Sequence, residues 1–460
     1  MANFKKLAKN YEKIGVLALQ EMVQRPSVYD EKTIEKGAPY GKGVKEALDY
    51  LASLAKSYGF AVDTCDGYAT EISYGEEGPL IGIYAHSDVV PVSGKWDNPP
   101  FGGKIVGEGK EAKMIGRGTS DDKGPLIASL MAIKLLKDNG LIKGYRVRLV
   151  SGGDEERGSS CLEHYFGVLK KPHCDYGFTP DASFPLIYAE KAISRANASK
   201  MIDLSPVLAM DGGTVANAVC DRLVVTLPSD KKFAAFLKEK GYDFDVSTAG
   251  SIDIVTFKGK SAHGSTPSFG VNAAGKAFEA LGAFYKNEFL SKLATVVFDP
   301  TGKTFGGDSY SPGFGKEGNS SFNYGVVKYD SRKVLTVSID HRYGEKGDKD
   351  KSFKAFSEAT GMNVNVMGES RLLHFDQKSP LVSTLMKSYK RMTHKFFDKP
   401  IAIGGGTYAK EAKNCVAYGS AFAGREGDIH SPNEYIYLED FYKQIAIYAN
   451  AIYSLGTIKK

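Results

Sequence analysis

Five short stretches of this chain concentrate acids and histidines where strand-like segments give way to loops. In LIGIYAHSDVVP, His86 and Asp88 are two apart, so on an extended strand both point to one side. In IGRGTSDDKGP, residues 115–125, a glycine-rich turn precedes two adjacent carboxylates, Asp121 and Asp122, and then an apolar run. In SGGDEERGSS, Glu155 and Glu156 are neighbours, so their side chains diverge and serve two roles. Asp181 stands in the proline-flanked turn FTPDASFP, and GREGDIHSPNEY puts His430 in a loop with Pro432 and Asn433. Two histidines with three carboxylates form the ligand set of a two-metal hydrolytic site, with one carboxylate left over as a base. Asp88 is too close to His86 to be an obvious independent ligand. Its place suits fixing the ring and tautomer of a ligating histidine.

Each stretch taken alone has a plainer reading. Asp121 and Asp122 could cap the helix that follows, the default for an acid before an apolar helical run. Glu155 and Glu156 could be a solvated pair at a helix start, and Asp181 a turn former. A lone histidine at a strand end is more often hydrogen-bonded than ligating. The conjunction weighs against these readings, because four such sites end four strand-like segments of one domain.

The elements that must position them are legible from periodicity. The N-terminal stretch MANFKKLAKNYEKIGVLALQEMV is an amphipathic helix, and residues 42–58 place Val44, Leu48, Leu51 and Ala55 at helical spacing. FAVDT, ATEISY, LIGIYAH, YRVRLVSG and YGFTPDA read as strands, with helices after residue 122 and in SSCLEHYFGVL. Such alternation predicts an α/β domain with a mostly parallel sheet, whose ligands lie off the carboxyl ends of the strands. From about residue 190 the texture changes. AISRANASK, DRLVVTLP, SIDIVTFKG and KVLTVSIDHR alternate as half-buried antiparallel strands do, with KKFAAFLKEKG and a continuous helix VNAAGKAFEALGAFYKNEFL between them. A Gly/Ser-rich loop covers TGKTFGGDSYSPGFGKEGNSSFN, and the first texture returns in SPLVSTLMKSYKRMTHKFF and LEDFYKQIAIYANAIYSL. The expected organisation is a catalytic domain in two parts, 1–186 and 379–460, with an α+β lid domain, 187–378, inserted between them.

Composition narrows the class of function. Hydrophobic content of 42% and charged content of 25% are those of a globular protein. A net charge of +6 over 460 residues, with no lysine/arginine block, argues against nucleic acid or a membrane as main partner. No apolar run reaches membrane-spanning length, and the N-terminal segment lacks a signal-peptide core. The five cysteines are scattered without CxxC spacing, which predicts a reducing cytoplasmic setting.

HSDVVP, GRGTSDDKGP, DEERGS, FTPDA and GREGDIHSPNEY, in that order, resemble the zinc aminoacylase/carboxypeptidase family of metallopeptidases. Within it they are similar to the PepV-type bacterial dipeptidase branch, related to carnosinases. The resemblance implies that His86 and Asp181 hold one metal, that Glu156 and His430 hold the other, and that Asp121 bridges both. It implies Glu155 as the general base and Asp88 as the residue orienting His86. In the inserted part, GKSAHGSTPSFGVNAA implies His263 as an oxyanion-stabilising residue, and Arg342 in SIDHRYG resembles the arginine that binds a substrate carboxylate. Asn217 in GGTVANAV resembles a lid asparagine. GGGTYAKEA resembles the glycine loop for a substrate carboxylate, with Gly405, Gly406 and Thr407, and backbone donors at a helix start suit that task. The activity implied is hydrolysis of dipeptides with a free N-terminus, using two divalent ions, most often zinc, with manganese or cobalt acceptable. An N-acyl-amino-acid deacylase would use the same residues. The partner implied is a small peptide substrate, and the enlarged insertion implies a monomer.

Overall fold

The computed structural model describes residues 2–458. The described residues of Met1–Tyr188, Phe375–Ile401 and Gly406–Lys460 form one compact unit, and Ala189–His374 with Ala402–Gly405 form another.

The first unit is an α/β structure. Its sheet has four central parallel strands in the spatial order Arg146–Gly152, Leu80–His86, Tyr176–Thr179, Cys415–Ala417. Antiparallel strands Ala69–Tyr74 and Ala61–Asp63 extend one side, and Ile187 pairs antiparallel with Ala417 on the other. Leu80–His86 is buried at every position, as a central strand covered on both faces must be. Helix Lys123–Asp138 packs against helices Phe4–Val23 and Leu438–Gly456. It is buried almost all round, which its apolar sequence LIASLMAIKLL requires. A smaller antiparallel sheet joins Lys104–Val106, Lys113–Ile115 and Tyr435–Tyr437. It brings the chain around residue 434 back to the 115–122 loop.

The second unit is α+β. Its sheet is antiparallel throughout, ordered Phe244–Ala249, Ile252–Lys258, Arg222–Pro228, Ala209–Gly212, Val327–Tyr329, Val334–Tyr343, Ala192–Met201, Asn363–Ser370. A core of its own includes Leu223, Val225, Phe257, Phe278, Leu281, Leu293, Val337, Ile339 and Phe356.

Three local departures from the periodicity reading have identifiable causes. The continuous helix expected over 271–290 is two helices, Ala273–Tyr285 and Glu288–Val297. Lys286 takes a left-handed φ of 56° between them, and the Asn287 side chain caps the second helix at Leu290 N. SSCLEHYFGVL is only briefly α-helical, over Ser160–Glu163, before a wider π turn at His164–Val168. The edge strands Phe244–Ala249 and Asn363–Ser370 escaped notice because both are largely exposed and carry no clean alternation.

Candidate metal centre

The carboxyl ends of three parallel strands converge on one cluster. His86 is the last residue of its strand, lies opposite Gly152 in register, and is fully buried. Its Nε2 is 3.0 Å from Asp121 Oδ1 and 3.8 Å from Asp181 Oδ2. The other oxygen of Asp121, Oδ2, is 2.9 Å from His430 Nε2. That imidazole is also 3.1 Å from Glu156 Oε2. Asp121 therefore faces one imidazole with each of its oxygens.

His430 reaches this position from a loop in which Asp428, His430 and Asn433 all have positive φ, with His430 at 60°. Left-handed backbone at three non-glycine residues within six positions is strain of the kind that gathers at functional sites.

Asp88 does two things. Its backbone carbonyl lies 3.0 Å from His86 Nδ1, closer than its carboxylate at 3.4 Å, so the ring is fixed chiefly by main chain. Its carboxylate accepts the backbone N–H groups of Glu155 and Glu156, both at 3.1 Å, and so aims both glutamates. Asp122 occupies the N-cap position of helix Lys123–Asp138, yet its side chain makes no capping bond. Instead Oδ2 accepts the His86 N–H at 3.2 Å.

The electrostatics show a surplus of negative charge. Burial alone would depress the His86 imidazole, but hydrogen bonds to Asp121 and Asp88 hold it well above its ordinary value. The carboxylates of Asp121 and Glu156 push His430 up to about 10. Burial, together with the charges of Asp181, Glu156 and Asp121, pushes Glu155 well above the usual carboxylate range. Four neighbouring carboxylates beside two imidazoles are costly in a protein interior unless cations compensate them.

The donors fit divalent ions. Ligand atoms of His86, Asp121 and Glu156 lie within 4.8 Å of one another, and so do those of His86, Glu155 and Asp181. Mixed imidazole and carboxylate donors suit zinc, manganese and cobalt. By distance alone Glu155 qualifies as a ligand as much as Glu156 does. Glu156 touches His430, and that contact separates them.

A family model described as Peptidase family M20/M25/M40 matches residues 82–454. The chain belongs to this peptidase family. It is 32% identical over 457 residues to the putative dipeptidase YtjP of Bacillus subtilis, covering 95% of this chain and 96% of that protein. It is 31% identical to the putative dipeptidase SAR1836 of Staphylococcus aureus, over 98% of this chain and 99% of that one. The fold is shared with an M20 family metallo-carboxypeptidase, Sso-CP2, from Sulfolobus solfataricus, at a TM-score of 0.59 and 18% identity over 96% and 99% of the chains. It is likewise shared with human carnosine dipeptidase 1, at a TM-score of 0.59 and 13% identity over the full length of both. As an M20 peptidase the chain is a metal-dependent hydrolase of peptide bonds, and both the α/β catalytic part and the inserted α+β part follow the fold expected from the strand texture.

The remaining site residues lie as follows. In the second unit, His263 Nδ1 is 2.7 Å from Ser265 Oγ and accepts Ser265 N–H at 3.3 Å, which leaves the ring proton on Nε2. The carbonyl of Asn217 accepts Gly264 N–H at 2.7 Å, so Asn217 and His263 lie on two loops tied together. Arg342 is buried and its guanidinium is engaged: Nε donates to Asp340 Oδ1 at 2.7 Å and Nη1 to the Gly404 carbonyl at 2.7 Å. The glycine loop precedes no long helix. Gly405 and Gly406 lead to Thr407, whose side chain caps a single three-residue turn, Tyr408–Lys410, by accepting Ala409 N–H.

Sequence reasoning passes over three residues of the first unit. Tyr408 is fully buried, with its ring edge-on to His86 at 6.1 Å and its hydroxyl 2.9 Å from Cys161 Sγ. Glu434 and Arg117 form a buried pair at 2.6 Å beside Asp121. Glu434 lies within GREGDIHSPNEY, but no spacing rule links it to residues more than 300 positions earlier.

Proposed function

We propose that this chain is a dipeptidase that hydrolyses dipeptides with a free N-terminus, using a two-metal site built by His86, Asp121, Glu156, Asp181 and His430. The observation that supports this reading best is Asp121, which offers one oxygen toward His86 and the other toward His430. His86 and Asp181 make one site, Glu156 and His430 the second, and Asp121 serves both. Zinc is the preferred occupant, with manganese and cobalt as alternatives the donors accept. Divalent ions held by these residues would lower the pKa of water and polarise the scissile carbonyl.

The chain's own groups do the rest. Asp88 holds Glu155 in place through its N–H. Glu155 takes the proton of the attacking water and passes it to the leaving amine. His263, with its proton on Nε2, stabilises the developing oxyanion. Arg342, Gly405, Gly406 and Thr407 recognise the free carboxylate and limit substrate length, and Asn217 steadies the His263 loop. All five cysteines are buried, and their scatter without CxxC spacing suits a reducing cytoplasm. No helix among the described residues is long and apolar enough to cross a membrane. The size of the inserted unit supports a monomer.

The test uses metal-stripped protein with zinc, manganese or cobalt restored separately, and a panel of dipeptides beside their N-acetylated counterparts. Free dipeptides should be cleaved and acetylated ones spared; the reverse preference would make the chain a deacylase. Glu155→Gln should lower kcat by roughly 100- to 10,000-fold with metal content unchanged. Undiminished turnover in that variant would remove Glu155 from the mechanism.

A further inference from the structure

Asp121 serves two ions only if its carboxylate stands in one fixed orientation, and the 115–122 loop that carries it is glycine-rich. The structure shows what fixes it. Glu434 Oε1 accepts two consecutive backbone N–H groups, Ser120 at 3.0 Å and Asp121 at 3.2 Å. Glu434 Oε2 accepts Arg117 Nη1 at 2.6 Å. Two further bonds flank this clasp: Gly116 N–H donates to the Glu434 carbonyl at 2.9 Å, and the Ser120 hydroxyl donates to the Tyr435 carbonyl at 2.6 Å.

Glu434 and Arg117 are almost completely buried. Glu434 also stands four residues after His430, on the loop that brings the second imidazole to Asp121. One carboxylate thus ties the backbone of the shared ligand to the loop bearing His430.

We infer that Glu434, held by Arg117, is a positioning residue of the metal centre: it sets the spacing between Asp121 and His430, and so the affinity for the two ions that Asp121 shares. The inference rests on the ligand set proposed above. The Glu434 carboxylate is not in the proposed ligand set and bonds to Arg117 and to the Ser120 and Asp121 main chain. Outer hydrogen bonds of this kind are commonly worth 10- to 100-fold in metal affinity, because they orient the ligand before the ion arrives. A carboxylate is required here because three donors converge on it. An amide of the same shape would have to turn its NH2 either toward Arg117 or toward the two backbone N–H groups, leaving donors opposed.

Calorimetric titration of metal-stripped full-length protein with zinc tests this. Glu434→Gln should stay folded by circular dichroism but bind zinc roughly 10- to 100-fold more weakly. The double variant Arg117→Met/Glu434→Gln removes the guanidinium, frees the amide oxygen for both N–H groups, and leaves no buried charge alone. It should recover most of the lost affinity, a rescue that a merely structural role for the pair would not give. If Glu434→Gln does not fold, the double variant alone decides, and zinc affinity within a few-fold of the parent is expected. Asp121→Asn is the control for the ligand set. If Asp121→Asn loses zinc while Glu434→Gln binds two ions as the parent does, or the double variant stays as weak as a ligand-deficient site, the positioning role is overturned and the ligand set stands. If Asp121→Asn itself keeps both ions, the ligand set is what fails.

Discussion

The two adjacent aspartates show how much one residue's identity decides. Asp121 and Asp122 are neighbours in sequence and both are buried, but only Asp121 faces the two imidazoles. Asp122 turns to the main chain of His86, and its second oxygen has no hydrogen-bond partner among the described residues. Asp121→Ala should lose both ions, as measured by elemental analysis of the dialysed protein. Asp122→Ala should keep them while losing about 1–3 kcal/mol of stability, the cost of leaving the buried His86 N–H unpaired. Loss of both ions in the second variant would mean that the bridging role belongs to the other carboxylate. Gly152 is a second single-residue constraint. A Cβ there would sit 2.7 Å from Cys161 Sγ and collide with the hydroxyl of Tyr408, whose ring lies T-shaped to that of His86. Gly152→Ala should destabilise the protein by about 1–3 kcal/mol through overpacking. It should also weaken zinc binding. A variant with parental melting temperature and affinity would show that Tyr408 can move aside freely.

Strand Val334–Tyr343 of the second unit carries a buried histidine that makes stability depend on pH. His341 stacks on Phe322 at 4.0 Å and donates from Nδ1 to the Ser321 carbonyl, while Nε2 has no hydrogen-bond partner among the described residues. Burial disfavours the imidazolium and lowers the pKa from 6.5 to about 4. Between those values the unfolded chain binds a proton that the folded one refuses, so stability falls as pH drops from about 6.5 and levels off below about 4. The full difference is on the order of 3 kcal/mol. His341→Phe keeps the stack and should flatten this part of the profile in urea unfolding followed between pH 7 and 4. An unchanged slope would assign the acid sensitivity to other groups. The same strand shows what periodicity makes legible. KVLTVSIDHR alternates clearly enough to be placed as a strand, and LIGIYAH is legible as a short apolar run; the carboxyl ends of LIGIYAH and YRVRLVSG mark where His86 and the glutamates lie. Partnerships fixed by packing across the fold are a different matter. Nothing in the spacing of Glu434 pairs it with Ser120 and Asp121, and nothing in GGGTYAKEA says that Tyr408 is buried edge-on to His86 rather than lining a loop. The edge strands were missed for the opposite reason: exposed on both faces, they lack the pattern by which a strand is recognised.

At the scale of the molecule, the five proposed metal ligands and Glu155 all belong to the first unit, whereas His263, Asn217 and Arg342 belong to the second. The second unit has its own sheet and its own core. Its entry and exit are adjacent, because Ala189 pairs with His374 in antiparallel register and Phe375 N–H donates to the Tyr188 carbonyl at 2.9 Å. A segment whose ends meet this closely can be removed without stretching what remains. Joining Tyr188 to Phe375 through a few glycines should therefore leave a folded α/β unit that still binds two divalent ions. That unit should have little or no dipeptidase activity, since His263, assigned to the oxyanion, and Arg342, assigned to the substrate carboxylate, leave with the insertion. Calorimetry with zinc and a dipeptide assay on the same preparation separate the two properties. Retained metal binding without turnover is the expected result. Loss of metal binding from a shortened chain that circular dichroism shows to be folded would mean that the centre needs a group from the inserted unit.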